Sequence, residues 1–168
     1  FYAMILGCGV GKAADILEIS YEEAKKALEL FNTNTPGLKA FIDKYSELAK
    51  AGYVVNFDGR WLPVKVEPRE YKTGVWHGKW LGSLLQGGEQ AIMRRALETW
   101  YPEALRRGID FKLIYTNHDE WQTAVKEESA IELGELQVQS IVDAGKYFNL
   151  NAPFDGQAKV GNNWKETH

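Results

Sequence analysis

The chain has 168 residues, which is the size of about one domain and enough to bury a core. Hydrophobic residues make up 45% of it, with six Trp, eight Tyr and seven Phe, so the composition excludes a disordered chain. The net charge of −3 excludes a uniformly basic nucleic-acid binder, the single cysteine excludes an internal disulfide, and no apolar run approaches the roughly 20 residues of a membrane span.

Helices are predicted for the first 52 residues. Residues 1–6 are apolar like a helix interior, so we expect the chain to start partway through a larger protein. Glycines at 7, 9 and 11 interrupt this helix, but they lack the Gly-Lys-Ser/Thr ending of a phosphate-binding P-loop. Residues 20–23 form a capping box that opens a helix ending near residues 32–34, and the next helix runs from about Pro36 to Gly52.

A β-hairpin is predicted next. Strand-like residues 53–57 and 61–66 flank Asp58-Gly59-Arg60, in which the Asp-Gly pair makes the turn. A polar loop follows at residues 67–75.

A long helix is predicted from about residue 76 to residue 105. Its apolar positions include Trp76, Trp80, Leu84, Ile92, Ala96 and Trp100. Gly87 and Gly88 inside it cost about 1 kcal/mol each relative to alanine. We therefore expect a close approach to this backbone, either by another element of the fold or by a ligand such as a nucleic-acid strand. Residues 60–107 also carry nine Lys and Arg against five Asp and Glu, which is typical of a phosphate-binding surface or of solvated helix faces.

Residues 111–125 predict a second hairpin with charge at its tip. Apolar and β-branched residues run into His118-Asp119-Glu120, and a short strand-like run follows at once. None of these three residue types favours a positive φ, so turn chemistry does not explain them. Two adjacent carboxylates repel each other, and a divalent cation with oxygen ligands relieves that repulsion. The alternative is an ordinary solvated hairpin end.

The last third of the chain predicts a helix and a strand. Glu127 begins a helix that reaches about Phe148, and residues 157–160 predict a final strand. The buried candidates of the helix are Ile131, Leu133, Leu136, Val138, Ile141 and Val142. This element order predicts an α+β fold with an antiparallel sheet backed by helices.

These segments resemble, in the same order and at similar spacings, the C-terminal portion of a family A DNA polymerase, the group of bacterial DNA polymerase I and several phage replicative polymerases. The resemblance is carried by Phe1-Tyr-Ala-Met-Ile-Leu-Gly7, Asp58-Gly59-Arg60, Leu84-Leu85-Gln86-Gly87, His118-Asp119-Glu120 and Gly161-Asn-Asn-Trp164 with His168. It implies a palm sheet within a right-hand polymerase fold, with residues 1–52 in the fingers and residues 53–168 in the palm.

The resemblance also implies a chemistry. Such polymerases transfer nucleotidyl groups from dNTPs to a primer 3′-hydroxyl with two Mg²⁺ ions. Asp119 matches the second catalytic aspartate, which is a metal ligand, and Glu120 matches the acidic residue beside the metals and the primer end. His118 matches a histidine near the primer terminus, and a structural hydrogen bond within the hairpin is the alternative role.

Further positions match residues that bind DNA or nucleotide. Gln86 matches a glutamine that bonds the primer-template minor groove, where hydrogen-bond acceptors occur in every correct pair. Gly87 would let the helix approach the duplex or the metal hairpin. Arg60 resembles an arginine near the primer strand, although a hairpin turn alone would explain it. Tyr2 resembles the fingers aromatic beside the incoming sugar, and Leu6 stands at a nucleotide-binding position where the family usually has tyrosine.

Some family features are replaced or fall outside the chain. Gly82 replaces a usual asparagine, so we expect fewer minor-groove contacts. Asn117 replaces a usual apolar residue before His118. The first catalytic aspartate and the arginine and lysine of the fingers would precede Phe1, so we expect the chain to be inactive without an N-terminal part, covalent or separate. The implied partners are primer-template DNA and dNTP, without a membrane, in the cytoplasm, or in the host cytoplasm if the protein is viral.

Two other functions stay open. The chain could hold primer-template DNA without chemistry, as a fragment or a subunit of a split polymerase. It could also be a different metal-dependent phosphoesterase built on the same hairpin, although the sequence offers no second carboxylate cluster or histidine group.

Overall fold

The computed structural model describes residues 2–64 and 77–167, and the chain divides into two compact units, residues 1–87 and 88–168. The elements are α1 (Tyr2–Ile5), α2 (Val10–Leu17), α3 (Tyr21–Asn34), α4 (Pro36–Ala49), β1 (Tyr53–Val55), β2 (Trp61–Pro63), α5 (His77–Arg106), β3 (Phe111–Asn117), β4 (Glu120–Val125), α6 (Ala130–Tyr147) and α7 (Trp164–Thr167). The predicted loop at 67–75, Trp76 and the end of the predicted strand at 65–66 lie outside the described residues. Within those described, no helix has both the length and the hydrophobicity that a membrane span requires.

The capping box predicted before α3 is confirmed. The amide of Glu23 donates to the Ser20 hydroxyl at 3.3 Å, and the amide of Ser20 donates to the Glu23 carboxylate at 3.0 Å. The Ser20 hydroxyl also donates to the Glu23 carboxylate at 2.7 Å, and this bond, followed by the one from the Ser20 amide, lowers the pKa of Glu23. The start of α4 at Pro36 is also confirmed. Local sequence alone therefore fixes where these two helices begin.

The core of the first unit lies between α4, the first hairpin and the start of α5. Trp80 is fully buried, and Val54 and Leu81 are nearly so. The predicted hairpin is confirmed, although its strands are shorter than predicted, and Val54 lies opposite Leu62. Gly59 has a φ of +82°, the left-handed conformation that a tight hairpin turn demands.

The second unit packs the C-terminal half of α5 against β3, β4 and α6. Trp100, Ala104, Ile109 and Leu133 form one buried cluster, and Ile92, Ala96 and Ala144 form another. The prediction that Ile131 is buried was wrong, because its side chain is 65% exposed while that of Leu133 is 1% exposed. Two residues apart on a helix, these side chains point to opposite sides and cannot both enter one core.

The predicted strand at residues 157–160 was also wrong. The segment is irregular and joins no β-ladder among the described residues. It lies against α6 instead, because a Cβ added to Gly134 would lie 2.8 Å from that of Ala158. Phe154, which precedes the segment, also packs on α6, and a Cβ added to Gly145 would lie 2.5 Å from its ring. The α+β class with antiparallel pairing is confirmed, but the described ladders are two separate hairpins.

A network of charges links the end of α5 to α6. Glu103 accepts hydrogen bonds from Arg106 at 2.6 and 2.7 Å and from Arg107 at 2.8 Å, and Arg107 also donates to Glu132 at 3.1 Å. The bonds from Arg106, followed by those from Arg107, lower the pKa of Glu103 from 4.5 to about 2. The ionised form of Glu103 therefore stabilises the folded state.

Acid should remove the contribution of Glu103. Because its folded-state pKa is depressed, the stabilisation is fully present above about pH 4.5 and is lost as the pH falls through about 2. Glu103→Gln should therefore lower the urea midpoint at pH 7, and the gap to the wild type should close as the pH approaches 2. Glu135→Gln, a change of equal charge at an exposed position of α6, is the control. A gap that stays constant with pH would contradict the assignment.

Candidate active site

The turn of the second hairpin consists of His118 and Asp119. Asn117 at the end of β3 pairs directly with Glu120 at the start of β4, so Glu120 belongs to the ladder and not to the tip as expected. His118 has a φ of +46°, contrary to the expectation that these residues would not serve turn chemistry. Two-residue hairpin turns need a positive φ, and histidine tolerates it better than most side chains. The strain at His118 costs on the order of 1 kcal/mol.

The two carboxylates beside this turn have different surroundings. Asp119 is exposed and makes no hydrogen bond or ion pair with residues 2–64 or 77–167. Glu120 is half-buried, and its carboxylate accepts a hydrogen bond from the side-chain amide of Gln122. A carboxylate without protein partners can bind a cation directly, so Asp119 is the stronger candidate ligand.

The donor set at the turn fits part of a magnesium site. Carboxylate oxygens are the ligands that Mg²⁺ prefers, and it is commonly held by one or two carboxylates while water and phosphate complete its shell. No group of three or more His, Cys, Asp or Glu side chains suited to a metal ion occurs in the described ranges, 2–64 and 77–167. Asp119 and Glu120 therefore suit a site that other groups complete.

An aromatic cluster lies under the hairpin. Trp100 of α5 is fully buried, and its ring centroid lies 5.4 Å from that of Phe111 on β3 and 5.6 Å from that of Trp121 on β4. Both strands are thus packed against the same indole, which supports the core face of the hairpin.

Arg60 ties the first hairpin to α5. Its guanidinium donates to the Gly87 carbonyl at 2.7 Å and pairs with the Asp58 carboxylate. The turn itself is closed by a 2.9 Å bond from the Asn56 amide to the Arg60 carbonyl. The predicted residues Arg60 and Gly87 are therefore in contact, and Gln86 precedes that contact with an exposed side chain.

Gly87 provides the close approach expected of the helix glycines. A Cβ at this position would lie 3.0 Å from Leu62 and 3.1 Å from the Asn56 amide nitrogen. Of the two alternatives, an element of the fold is therefore confirmed as a neighbour of Gly87.

Alanine should act differently at two glycines of α5. Gly82→Ala should raise the free energy of unfolding by about 1 kcal/mol, because alanine favours helix and a Cβ there meets nothing within 4 Å. Gly87→Ala should forfeit most of that gain, since Leu62 and Asn56 must move. Urea denaturation of both variants checks this, and equal gains would show that the approach at Gly87 is not tight.

The two residues expected near the nucleotide lie on or just after α1. Tyr2 is 75% exposed, whereas Leu6 is half-buried and packs against the core of the first unit. Tyr2 can therefore meet a ligand. Leu6 contributes to the packing of the first unit, and its nucleotide contact stays a prediction.

Arginines of α5 are engaged by nearby groups. Glu98 pairs with Arg94 at 3.1 Å and with Arg95 at 3.8 Å, and the Arg95 guanidinium lies 4.0 Å from the centre of the Tyr147 ring. Lys65, Arg69 and Lys72, which belong to the same basic stretch, fall outside the described residues. This part of α5 matches the solvated-face interpretation of the charge better than an open phosphate site.

Sequence reasoning missed two residues at these sites. Gln122 bonds Glu120, and the signal for it was the spacing of two, which puts both side chains on one face of β4. Asn56 is 4% exposed beside Gly87, and its side-chain nitrogen has no hydrogen-bond partner among the described residues. No local sequence signal identifies Asn56.

Comparison with known proteins shows the family to which the chain is related. The family model of DNA polymerase family A matches residues 1–166. The chain is 28% identical to a DNA-directed DNA polymerase of Escherichia phage Phieco32 and 26% identical to one of Enterobacteria phage T3, and in each case 99% of the chain is covered. It spans 27% and 25% of the lengths of these relatives.

A solved structure shares the fold. The POL domain of Pol1 from M. smegmatis, in complex with DNA primer-template and dNTP, superposes with a TM-score of 0.86 at 22% identity, covering 99% of this chain and 29% of that one. Because the family model extends over nearly every residue, including both hairpins, the chain belongs to DNA polymerase family A.

Proposed function

We propose that the chain is the C-terminal part of a template-directed DNA polymerase, which in complete form transfers nucleotidyl groups from dNTPs to a primer 3′-hydroxyl. The observation that carries the proposal is the family match across the hairpin whose turn presents Asp119 as an exposed carboxylate. The DNA primer-template and dNTP in the M. smegmatis complex support the same partners for this chain.

Asp119 and Glu120 have different proposed roles. Asp119 is a metal ligand, and an aspartate outside these residues supplies the other half of the site. Glu120 is the accompanying carboxylate, whose orientation Gln122 restricts by its hydrogen bond. Bound divalent cations supply charge neutralisation at the attacking hydroxyl and the leaving pyrophosphate.

The remaining site residues have proposed contacts with DNA and nucleotide. Gln86 donates from its exposed amide to minor-groove acceptors, which every correct base pair presents. Arg60, held by Gly87 and Asp58, approaches the primer strand from a fixed position. His118 lies near the primer end. Tyr2 lies beside the incoming sugar, and Leu6 lies at the second nucleotide-binding position.

We also propose how the chain fits into a polymerase. Residues 1–52 belong to the fingers and residues 53–168 to the palm, so the boundary between the two compact units, at residues 87 and 88, falls within the palm part. The first catalytic aspartate belongs to an N-terminal part, which agrees with relatives about four times as long as this chain. The isolated chain is then inactive, and the complete protein acts in the cytoplasm, or in that of the host if it is viral.

Primer extension tests the proposal. The polypeptide that carries these 168 residues should add the nucleotides that the template specifies, and a chelator of divalent cations should stop it. Binding of primer-template DNA without any incorporation would favour the non-catalytic alternative, and release of nucleotides from DNA would favour the phosphoesterase.

A further inference from the structure

One face of the β3–β4 hairpin points away from the core, and we call it the outer face. It carries Glu120 and the residues beside it. Pairing shifts from Leu113 opposite Thr123 to Tyr115 opposite Gln122, so β3 carries a bulge at this point. Before the bulge, Phe111 and Leu113 face the core. After it, Tyr115 and Asn117 lie on the outer face with Gln122 and Glu120, because opposed residues of a ladder share a face. The bulge therefore puts Tyr115 on the same face as Glu120.

Residues 161–166 form a tight turn, which we call the terminal turn. The Glu166 carboxylate accepts from the Asn162 amide and from the Asn163 side chain, both at 2.7 Å, while the Glu166 amide donates to Asn163 at 3.3 Å. A Cβ at Gly161 would lie only 2.5 Å from that of Glu166, so this turn requires glycine. The bond from the Asn162 amide is the largest of the causes that lower the pKa of Glu166.

This turn presents Trp164 to the hairpin. The Trp164 ring centroid lies 5.5 Å from that of Tyr115, with an angle of 52° between the ring planes. The aromatic contact joins the terminal turn to β3 on the face that carries Glu120, and Gln122, the cross-strand partner of Tyr115, bonds Glu120. The Gly-Asn-Asn-Trp segment, which in the sequence is only a family marker, thus has a physical contact with the site.

We infer that Trp164 is a positioning residue, which supports the β3–β4 hairpin through Tyr115 and so holds the carboxylates of Asp119 and Glu120 in place. A two-stranded hairpin is marginally stable alone, and His118 adds strain at its tip. The buried indole of Trp100 supports only the core face. Trp164 supports the outer face, close to Asp119 and Glu120. Groups that bind a metal must be held to within about 0.5 Å of their productive positions.

The effect of Trp164 on metal binding rests on the proposed function, whereas its contact with Tyr115 does not. Two measurements therefore test the contact and the effect separately. The first is amide hydrogen exchange of residues 117–120 in the complete polymerase without metal or DNA. Trp164→Ala should speed this exchange about threefold to tenfold, which corresponds to the loss of one aromatic pair. Trp164→Phe should restore most of the protection. Tyr147→Ala, another exposed aromatic that contacts Phe148 and Arg95, should leave it unchanged.

The second measurement is the Mg²⁺ concentration that gives half-maximal primer extension. It should rise by a similar factor in Trp164→Ala and in Tyr115→Ala, and return towards the wild-type value in Trp164→Phe. Unchanged amide exchange in Trp164→Ala would show that Trp164 does not stabilise the hairpin, and the inference would be wrong. Faster exchange with an unchanged Mg²⁺ requirement would also overturn the inference, since the turn would then be structural only. Failure of the proposed function would appear instead as absence of extension by the wild type.

Discussion

Replacing Asp119 with asparagine should reduce primer extension by the complete polymerase about a thousandfold. The substitution keeps the size of the side chain but removes the negative charge of an exposed carboxylate that has no partner among the described residues. Metal ions contribute several kcal/mol of charge stabilisation to such reactions, and each 1.36 kcal/mol is a factor of about ten in rate. Single-turnover incorporation at saturating dNTP measures the effect.

Asp110→Asn is the matched control for this variant. Asp110 is an exposed aspartate just before β3, at the opposite end of the same hairpin, and its ion pair with Lys126 spans 3.5 Å. Losing this ion pair should change the rate of primer extension by less than about threefold, because an exposed ion pair contributes little to stability. Should Asp119→Asn retain more than a tenth of the wild-type rate while melting normally, the metal-ligand role would be refuted.

Trp100→Ala should lower the free energy of unfolding by about 3–5 kcal/mol, the usual cost of removing a large aromatic side chain from a core. The indole is fully buried and contacts aromatic rings from α5, β3 and β4. Its loss leaves a cavity under the hairpin that carries Asp119, so the folded fraction should also extend primers more slowly. Urea denaturation followed by tryptophan fluorescence and circular dichroism measures the stability.

Trp100→Phe separates packing from hydrogen bonding. The indole nitrogen of Trp100 has no hydrogen-bond partner among the described residues, so phenylalanine gives up no bond and keeps most of the ring contacts. We expect a clearly smaller loss than with alanine. A loss of less than about 1 kcal/mol in Trp100→Ala would mean that the cluster does not support the hairpin.

Most elements of the fold could be predicted from short-range patterns. The capping box at Ser20, Pro36 at the start of α4 and the Asp-Gly turn are each decided by residues within four positions of one another. The second hairpin and the long helix α5 follow from patterns of apolar and β-branched residues. These predictions are confirmed because interactions between residues close in sequence decide each of these elements.

The errors have different causes. Residues 157–160 have strand composition, but no described strand pairs with them, and Ala158 lies against Gly134 of α6 instead. Ile131 was assigned to the core although its helical position turns it away from Leu133. His118 takes a positive φ because Asn117 and Glu120 pair across it, which a propensity for one residue does not reveal.

The sequence by itself determined the family, the order of the elements and the identity of the acidic turn, since each depends on residue types at fixed spacings. Only the tertiary structure decided that Arg60 is bound to the Gly87 carbonyl and that Trp164 meets Tyr115. The physical reason is distance along the chain. A contact between residues 27 or 49 positions apart depends on how whole elements pack, and no local pattern records that packing.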